Sequence, residues 1–193
     1  RYDLALKGLE ALDEGEGEGS FDPQVPYLRG VIHSRLGDPE ASRAAMVKAG
    51  DIMSRLPSEV KEAHLETLLL SSLIDYSLNR MDEAYASLDL YIRRAPGNPG
   101  ARKLMASILL VRKQYDRVIQ VLKPALGMIP NDYRLLTMLG TAYLKKGRHL
   151  RAIELLDKAV AQGGNAVEAR TQLALSRLAQ GRDEAGLKQL GEV

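Results

Sequence analysis

The chain has 193 residues, 45% of them hydrophobic and 27% charged, with a formal net charge of +2. This composition belongs to a folded protein and not a disordered one, and no run approaches the roughly 18 apolar residues of a membrane span. With no Cys, no Trp and one Phe, disulfides, thiol chemistry and thiolate metal sites are excluded, and aromatic platforms for single-stranded nucleic acid are disfavoured.

In chain order, the sequence opens at Arg1 directly into an amphipathic helix, so residues 1–13 are expected to be the second helix of a truncated repeat and the whole a piece of a longer protein. Residues 14–22 read as an acidic, glycine-rich linker, with Glu14, Glu16 and Glu18 alternating with Gly. That alternation suits a solvated loop; calcium loops need another ligand pattern. A first, irregular hairpin is expected over 23–57, its second helix extended by Asp51–Leu56. Four regular hairpins follow within 58–193, at about 58–95, 99–128, 131–161 and 165–192. Asp38-Pro39-Glu40 and Asn98-Pro99 pair an N-cap with Pro in the first turn, and Ser58 is expected to cap a further helix. Gly37, Gly147 and Gly181 fall at turns between paired helices, where a left-handed residue ends a helix at little cost. Asn79 fills the same place, and Lys113 is the exception.

The hairpins repeat. Pro96 and Pro130 stand 34 residues apart, each at the end of a helical pattern. Leu136-x2-Leu139-Gly140-x2-Tyr143 is followed by Gly147, Ala152, Leu156 and Ala159; Met105-Ala106, Val118, Leu122 and Ala125 precede it at the same spacing. The first hairpin is offset by 42 residues, eight more than the period. Each hairpin carries an apolar face that only stacking can bury. Small residues such as Ala84, Ala106, Gly140 and Ala152 suit the close approach of two helices, and Leu122, Leu139 and Leu156 suit the space between hairpins. Strand-period alternation is absent. The expected fold is all-α.

This spacing of large and small residues resembles the tetratricopeptide repeat (TPR) family across nearly the whole chain. The resemblance implies a right-handed superhelical solenoid of antiparallel helix pairs, about eleven helices in all. It also implies a concave groove lined by the first helix of each hairpin. Mapped onto this sequence, the groove positions are Tyr27, Val31 and Arg35; Leu69, Leu73 and Tyr76; Lys103, Ser107 and Leu110; Arg134, Thr137, Thr141 and Lys145; and Thr171, Leu175 and Leu178. Tyr27, Arg35, Leu69, Leu73, Tyr76, Lys103, Arg134, Thr141 and Lys145 are the expected floor. The family's carboxylate clamp uses Asn, and Ser107, Thr137 and Thr141 stand in its place here.

No catalytic motif is present. His33, His64 and His149 lie in different repeats without metal-ligand spacing. The expectation is therefore no enzyme, no metal and no cofactor. Charge is uneven: residues 1–57 hold 7 Lys+Arg against 10 Asp+Glu, while 93–151 hold 13 basic residues against Asp116 and Asp132 alone. Arg112-Lys113 and Lys145-Lys146-x-Arg148 fall at turns that stacking should bring onto one edge. Such a field attracts anions; without aromatics or recognised motifs, nucleic acid is not the expected partner. Arg112, Lys113, Lys146 and Arg148 form the expected basic edge.

The phrases 96–106, 122–126, 131–143 and 169–181 also look like those of the bacterial TPR lipoproteins that accompany exosortase (PEP-CTERM) systems and exopolysaccharide clusters. That narrower resemblance implies a periplasmic protein, anchored at the outer membrane by a lipid upstream, that acts as a scaffold for a protein or peptide partner; a cytoplasmic location is the alternative. The competing functional reading is a module contacting an anionic polysaccharide through the basic edge.

Overall fold

The computed structural model describes residues 4–6, 8–9, 22–162 and 167–181. The expected linker, apart from Asp22, and the second helix of the last hairpin lie outside the described residues. Every regular element among them is helical: short helical stretches at 4–6 and 8–9, then α1 (Gln24–Leu36), α2 (Pro39–Arg55), α3 (Ser58–Ala63), α4 (Leu65–Ser77), α5 (Met81–Arg94), α6 (Pro99–Val111), α7 (Tyr115–Met128), α8 (Tyr133–Lys145), α9 (His149–Gln162) and α10 (Val167–Leu178). None of them is long and apolar enough to cross a membrane. Two compact units divide the chain, Arg1–Ala95 and Pro96–Val193.

Local chemistry sets the helix ends. Asp38 Oδ1 accepts from the Ala41 N–H at 3.0 Å, Asn98 Oδ1 from Ala101 at 3.1 Å and Asp132 Oδ1 from Leu135 at 2.9 Å. Each bond satisfies one of the donors that a helix start leaves free. Ser58 makes no such cap: it is already the first residue of α3, after Pro57. The turns within hairpins all use one left-handed residue, Gly37, Asn79, Lys113, Gly147 and Gly181, at φ between 57° and 79°. Lys113 thus adopts the same conformation as the glycines. A Cβ in that region is strained by roughly 1–2 kcal/mol. Lys113→Gly is expected to raise stability by about 0.5–1 kcal/mol once the extra freedom of the unfolded glycine is subtracted; a lower urea midpoint for the variant would contradict this.

In the first unit, α1 packs on α2, α4 on α5, and α2 on α4. Its core gathers Ala49, Met53 and Ile74, with Tyr27, Leu56, Leu70 and Leu78 packed around them. Gly30 lets α2 approach: a Cβ there would meet Met46 Cε at 2.8 Å. The eight extra residues are accounted for locally. Helix α2 runs 17 residues against 14 for α5, α7 and α9, and residues 56–64, α3 among them, stand where only 95–98 link the next pair, with a bend at His64 (φ −109°, ψ 128°) into α4.

In the second unit, α6 to α10 pack in sequence, and α8 also touches both α6 and α10 directly, side by side. Gly140 is the tightest approach: a Cβ on it would stand 2.5 Å from Leu156 Cγ. Leu156 therefore fills the space within its own hairpin, across from Gly140, as well as closing the core. The 34-residue register survives in burial, with Leu122 and Leu156, Val118 and Ala152, and Ala125 and Ala159 all fully buried. Burying each leucine contributes roughly 1.5–3 kcal/mol.

Candidate functional site

Some residues of the expected floor belong to the first unit and the others to the second. In the first, Tyr27 is half-buried and packs against the Met53–Ile74 core, and burial pushes its phenol pKa up. Leu69, Leu73 and Tyr76 on α4 are half-buried. The backbone oxygens of Leu69 and Leu73 accept from the Ser72 and Ser77 hydroxyls at 2.6 and 2.8 Å. Arg35, at the end of α1, is exposed. Nearby, burial raises the Asp75 carboxyl, against the opposing effects of the Ser71 hydroxyl and Arg80.

In the second unit, α6, α8 and α10 present their groove positions on neighbouring helices. Lys103 reaches from α6 to Asp132, the cap of α8, at 2.6 Å. This pair ties two first helices together and leaves Lys103 already engaged. Arg134 and Lys145 are exposed at opposite ends of α8. The Arg134 Nε donates to the Tyr133 hydroxyl at 3.0 Å, with its guanidinium 5.7 Å from the ring centroid. Tyr133 is 37% exposed, so tyrosine and arginine form a joint surface platform that the repeat pattern does not single out. Its signal in the sequence is a tyrosine in the first turn of a first helix, beside a basic residue. Thr137, counted as a groove position, is only 4% exposed and donates to the Tyr133 carbonyl at 2.7 Å. The hydroxyl of Thr141 on α8 and the amide oxygen of Gln172 on α10 are buried without a hydrogen-bond partner among the described residues. Leu175 is 42% exposed.

The basic edge is partly as expected. Lys146 forms an ion pair with Asp116 in the first turn of α7, which places the α6–α7 and α8–α9 turns next to each other. Lys113 and Arg148 are exposed there, while Arg112 is half-buried. Arg102, counted in the same basic field, is buried at 9% exposure: its Nε donates to the Pro96 carbonyl at 2.8 Å and an Nη to that of Val121 at 3.0 Å. It holds the fold and is withdrawn from any ligand.

Asp132 carries a pH signature. Partial burial alone would raise its carboxyl pKa, but the Lys103 ammonium and the Leu135 and Arg134 N–H groups outweigh this and hold it below the usual range. A depressed folded pKa gives stability that is present above the unfolded carboxylate value and lost as pH falls through the folded one. Asp132→Asn keeps the cap and removes the charge. Its urea midpoint should fall below the wild-type value near neutrality, and the two should converge as the pH drops below the ordinary carboxylate range. A gap that persists unchanged in acid would refute the assignment. Asp132→Ala, which loses the cap too, should cost about 1 kcal/mol more.

Residues 109–178 match the family model described as Tetratricopeptide repeat. No curated protein matches the chain. Among solved structures, MamA from Desulfovibrio magneticus RS-1 is 19% identical, with a TM-score of 0.67 over 90% of this chain and 93% of that one. MamA from AMB-1 is 17% identical, with a TM-score of 0.71 over 86% and 94%. TTC0263, a thermophilic TPR protein in Thermus thermophilus, is 20% identical, with a TM-score of 0.66 over 88% and 89%. The fold is therefore the one these proteins share, built from antiparallel helix pairs of tetratricopeptide type.

Proposed function

We propose that this chain, whose residues 109–178 carry the tetratricopeptide pattern and whose fold is the TPR type, is a non-catalytic scaffold that binds a protein or peptide partner on the face formed by its first helices. The carrying observation is the side-by-side placement of α6, α8 and α10 with exposed Arg134 and Lys145 at either end of α8. A rigid helical face with a tyrosine–arginine platform offers large contact area at low entropic cost, together with bidentate donors for a carboxylate.

The narrower reading places the scaffold in a bacterial cell-envelope system for exopolysaccharide export or protein sorting, periplasmic and held at the outer membrane. The phrase-level resemblance of 96–106 and 131–143 supports it. Fractionation of cells producing the protein from its native gene tests it, and recovery in the cytoplasm alone would remove it. The second reading, contact with an anionic polysaccharide, draws on the adjacent turns that carry Lys113 and Arg148.

One comparison separates partner face from edge. Replacing Lys103, Arg134 and Lys145 together by Ala should weaken partner binding about tenfold or more, through loss of charge-assisted bonds. Helical content should hold, because the exposed Arg134 and Lys145 contribute little to stability; the urea midpoint should fall only by what the Lys103–Asp132 pair supplies. Unchanged affinity in that variant, with loss on replacing Arg112, Lys113, Lys146 and Arg148, moves the site to the edge. Binding there should also fall steeply with salt.

A further inference from the structure

The first unit breaks the repeat where the second keeps it. Helix α8 packs side by side with α6 and α10, whereas in the first unit α1 packs chiefly on α2, and α4 on α2, α3 and α5. This is the hairpin lengthened by α2 and by the inserted α3. Two cavities mark the seam where α1, α2 and α4 come together. One, about 450 Å³, lies toward the starts of α1 and α4, with Asp22, Leu56, Glu66 and Leu70 on its wall. The other, about 790 Å³, lies toward their ends, with Val31, Arg35, Arg43, Met46 and Ser77 on its wall.

The larger cavity has an unbalanced chemistry. Arg35 and Arg43 are both exposed, and neither has an ion pair or hydrogen bond among the described residues. Of the two acids nearby, Asp38 caps α2 through Oδ1 with its Oδ2 3.8 Å from His33 Nδ1, and Glu40 makes no ion pair with either arginine among the described residues. Val31 and the buried Met46 add apolar surface to the same wall, beside Ser34, Ser42 and Ser77. Paired guanidinium forks match a carboxylate in geometry as well as in charge. The opposite end of the seam, with Asp22 and Glu66, repels one. The two ends therefore give a bound chain a direction.

We infer that the seam of α1, α2 and α4 is a docking site for a short acidic peptide segment, its carboxylate held by Arg35 and Arg43 and an aliphatic side chain laid on Val31 and Met46. This deepens the scaffold reading, on which it rests, by naming a place and a ligand class specific to the irregular hairpin.

The test uses the ¹⁵N-labelled full chain and the probe peptide acetyl-Leu-Glu-Glu with a free C-terminus, titrated at millimolar concentration. Saturable amide shifts are expected at Val31, Ser34, Ser42 and Ser77. They should weaken about tenfold in Arg35→Gln/Arg43→Gln and recover in part in Arg35→Lys/Arg43→Lys, since lysine keeps the charge without the fork. Both arginines are exposed, and unchanged circular dichroism confirms that the variants fold. Absence of shifts, equal shifts with acetyl-Leu-Gln-Gln-amide or with inorganic sulfate, or shifts indifferent to the double substitution would each overturn the assignment. Shifts confined to α6, α8 and α10 would also overturn it, while leaving the scaffold reading standing.

Discussion

Gly140→Val is expected to lower the unfolding free energy by about 3 kcal/mol, at the upper end of overpacking effects. The new Cβ would lie 2.5 Å from Cγ and 2.7 Å from Cδ2 of Leu156, which is fully buried and has no free volume to turn into. Either the leucine leaves its rotamer or α8 and α9 separate, and both disturb the best-packed hairpin of the second unit. The change also removes a helical glycine, which on propensity alone would stabilise by a few tenths of a kcal/mol; the steric effect wins by size and sets the sign. A double-mutant cycle decides whether the contact is the cause. Leu156→Ala alone should cost about 2–5 kcal/mol as a cavity. The double variant should lose less than the sum, because the valine fills part of the space. Additive losses would mean that the two residues do not meet.

Arg102→Ala should cost about 3 kcal/mol. Two charge-assisted bonds to the Pro96 and Val121 carbonyls are lost, each worth more than a neutral bond, and the aliphatic stem loses its packing. Arg102→Lys is the informative partner: a single ammonium cannot span two carbonyls that a planar fork reaches together, so about half the loss should remain. Urea unfolding with an unchanged m-value measures both. A loss below about 0.5 kcal/mol, the range of an ordinary surface change, would show that Arg102 does not bind those carbonyls.

Much of the fold is legible because the determinants are local and periodic. The caps at Asp38 and Asn98 and the left-handed turn residues follow from short-range chemistry that the sequence displays. The Asp132 cap lacks the proline that marks the other two, although it stands 34 residues after Asn98 and does the same work. Ser58 has the chemistry of a cap and so draws the start of the second hairpin to itself. Counting back one period from Pro99 gives Leu65 instead, where α4 begins. The site is harder, because composition records that a residue is charged and not what it touches. Arg102, Lys103 and Arg134 look alike in the sequence; the first is buried against carbonyls, the second paired with Asp132, and only the third faces solvent. The seam of α1, α2 and α4 depends on how an irregular hairpin packs, and a period cannot report a departure from itself.

The position of the caps makes the repeat between Asn98 and Asp132 a transferable cassette. Asn98 and Asp132 each bond the N–H three residues ahead. Excising 99–132 would therefore leave Asn98 three residues before Leu135, able to cap the next helix as it now caps its own. The tightest fit, Gly140 against Leu156, lies within the cassette that begins at Tyr133, as Gly30 against Met46 lies within the first hairpin. A duplication or deletion cut at the caps thus carries both halves of a steric match together. Repeat number can change in a single genetic event without a compensating substitution, whereas the irregular hairpin moves intact only if its extra eight residues travel with it.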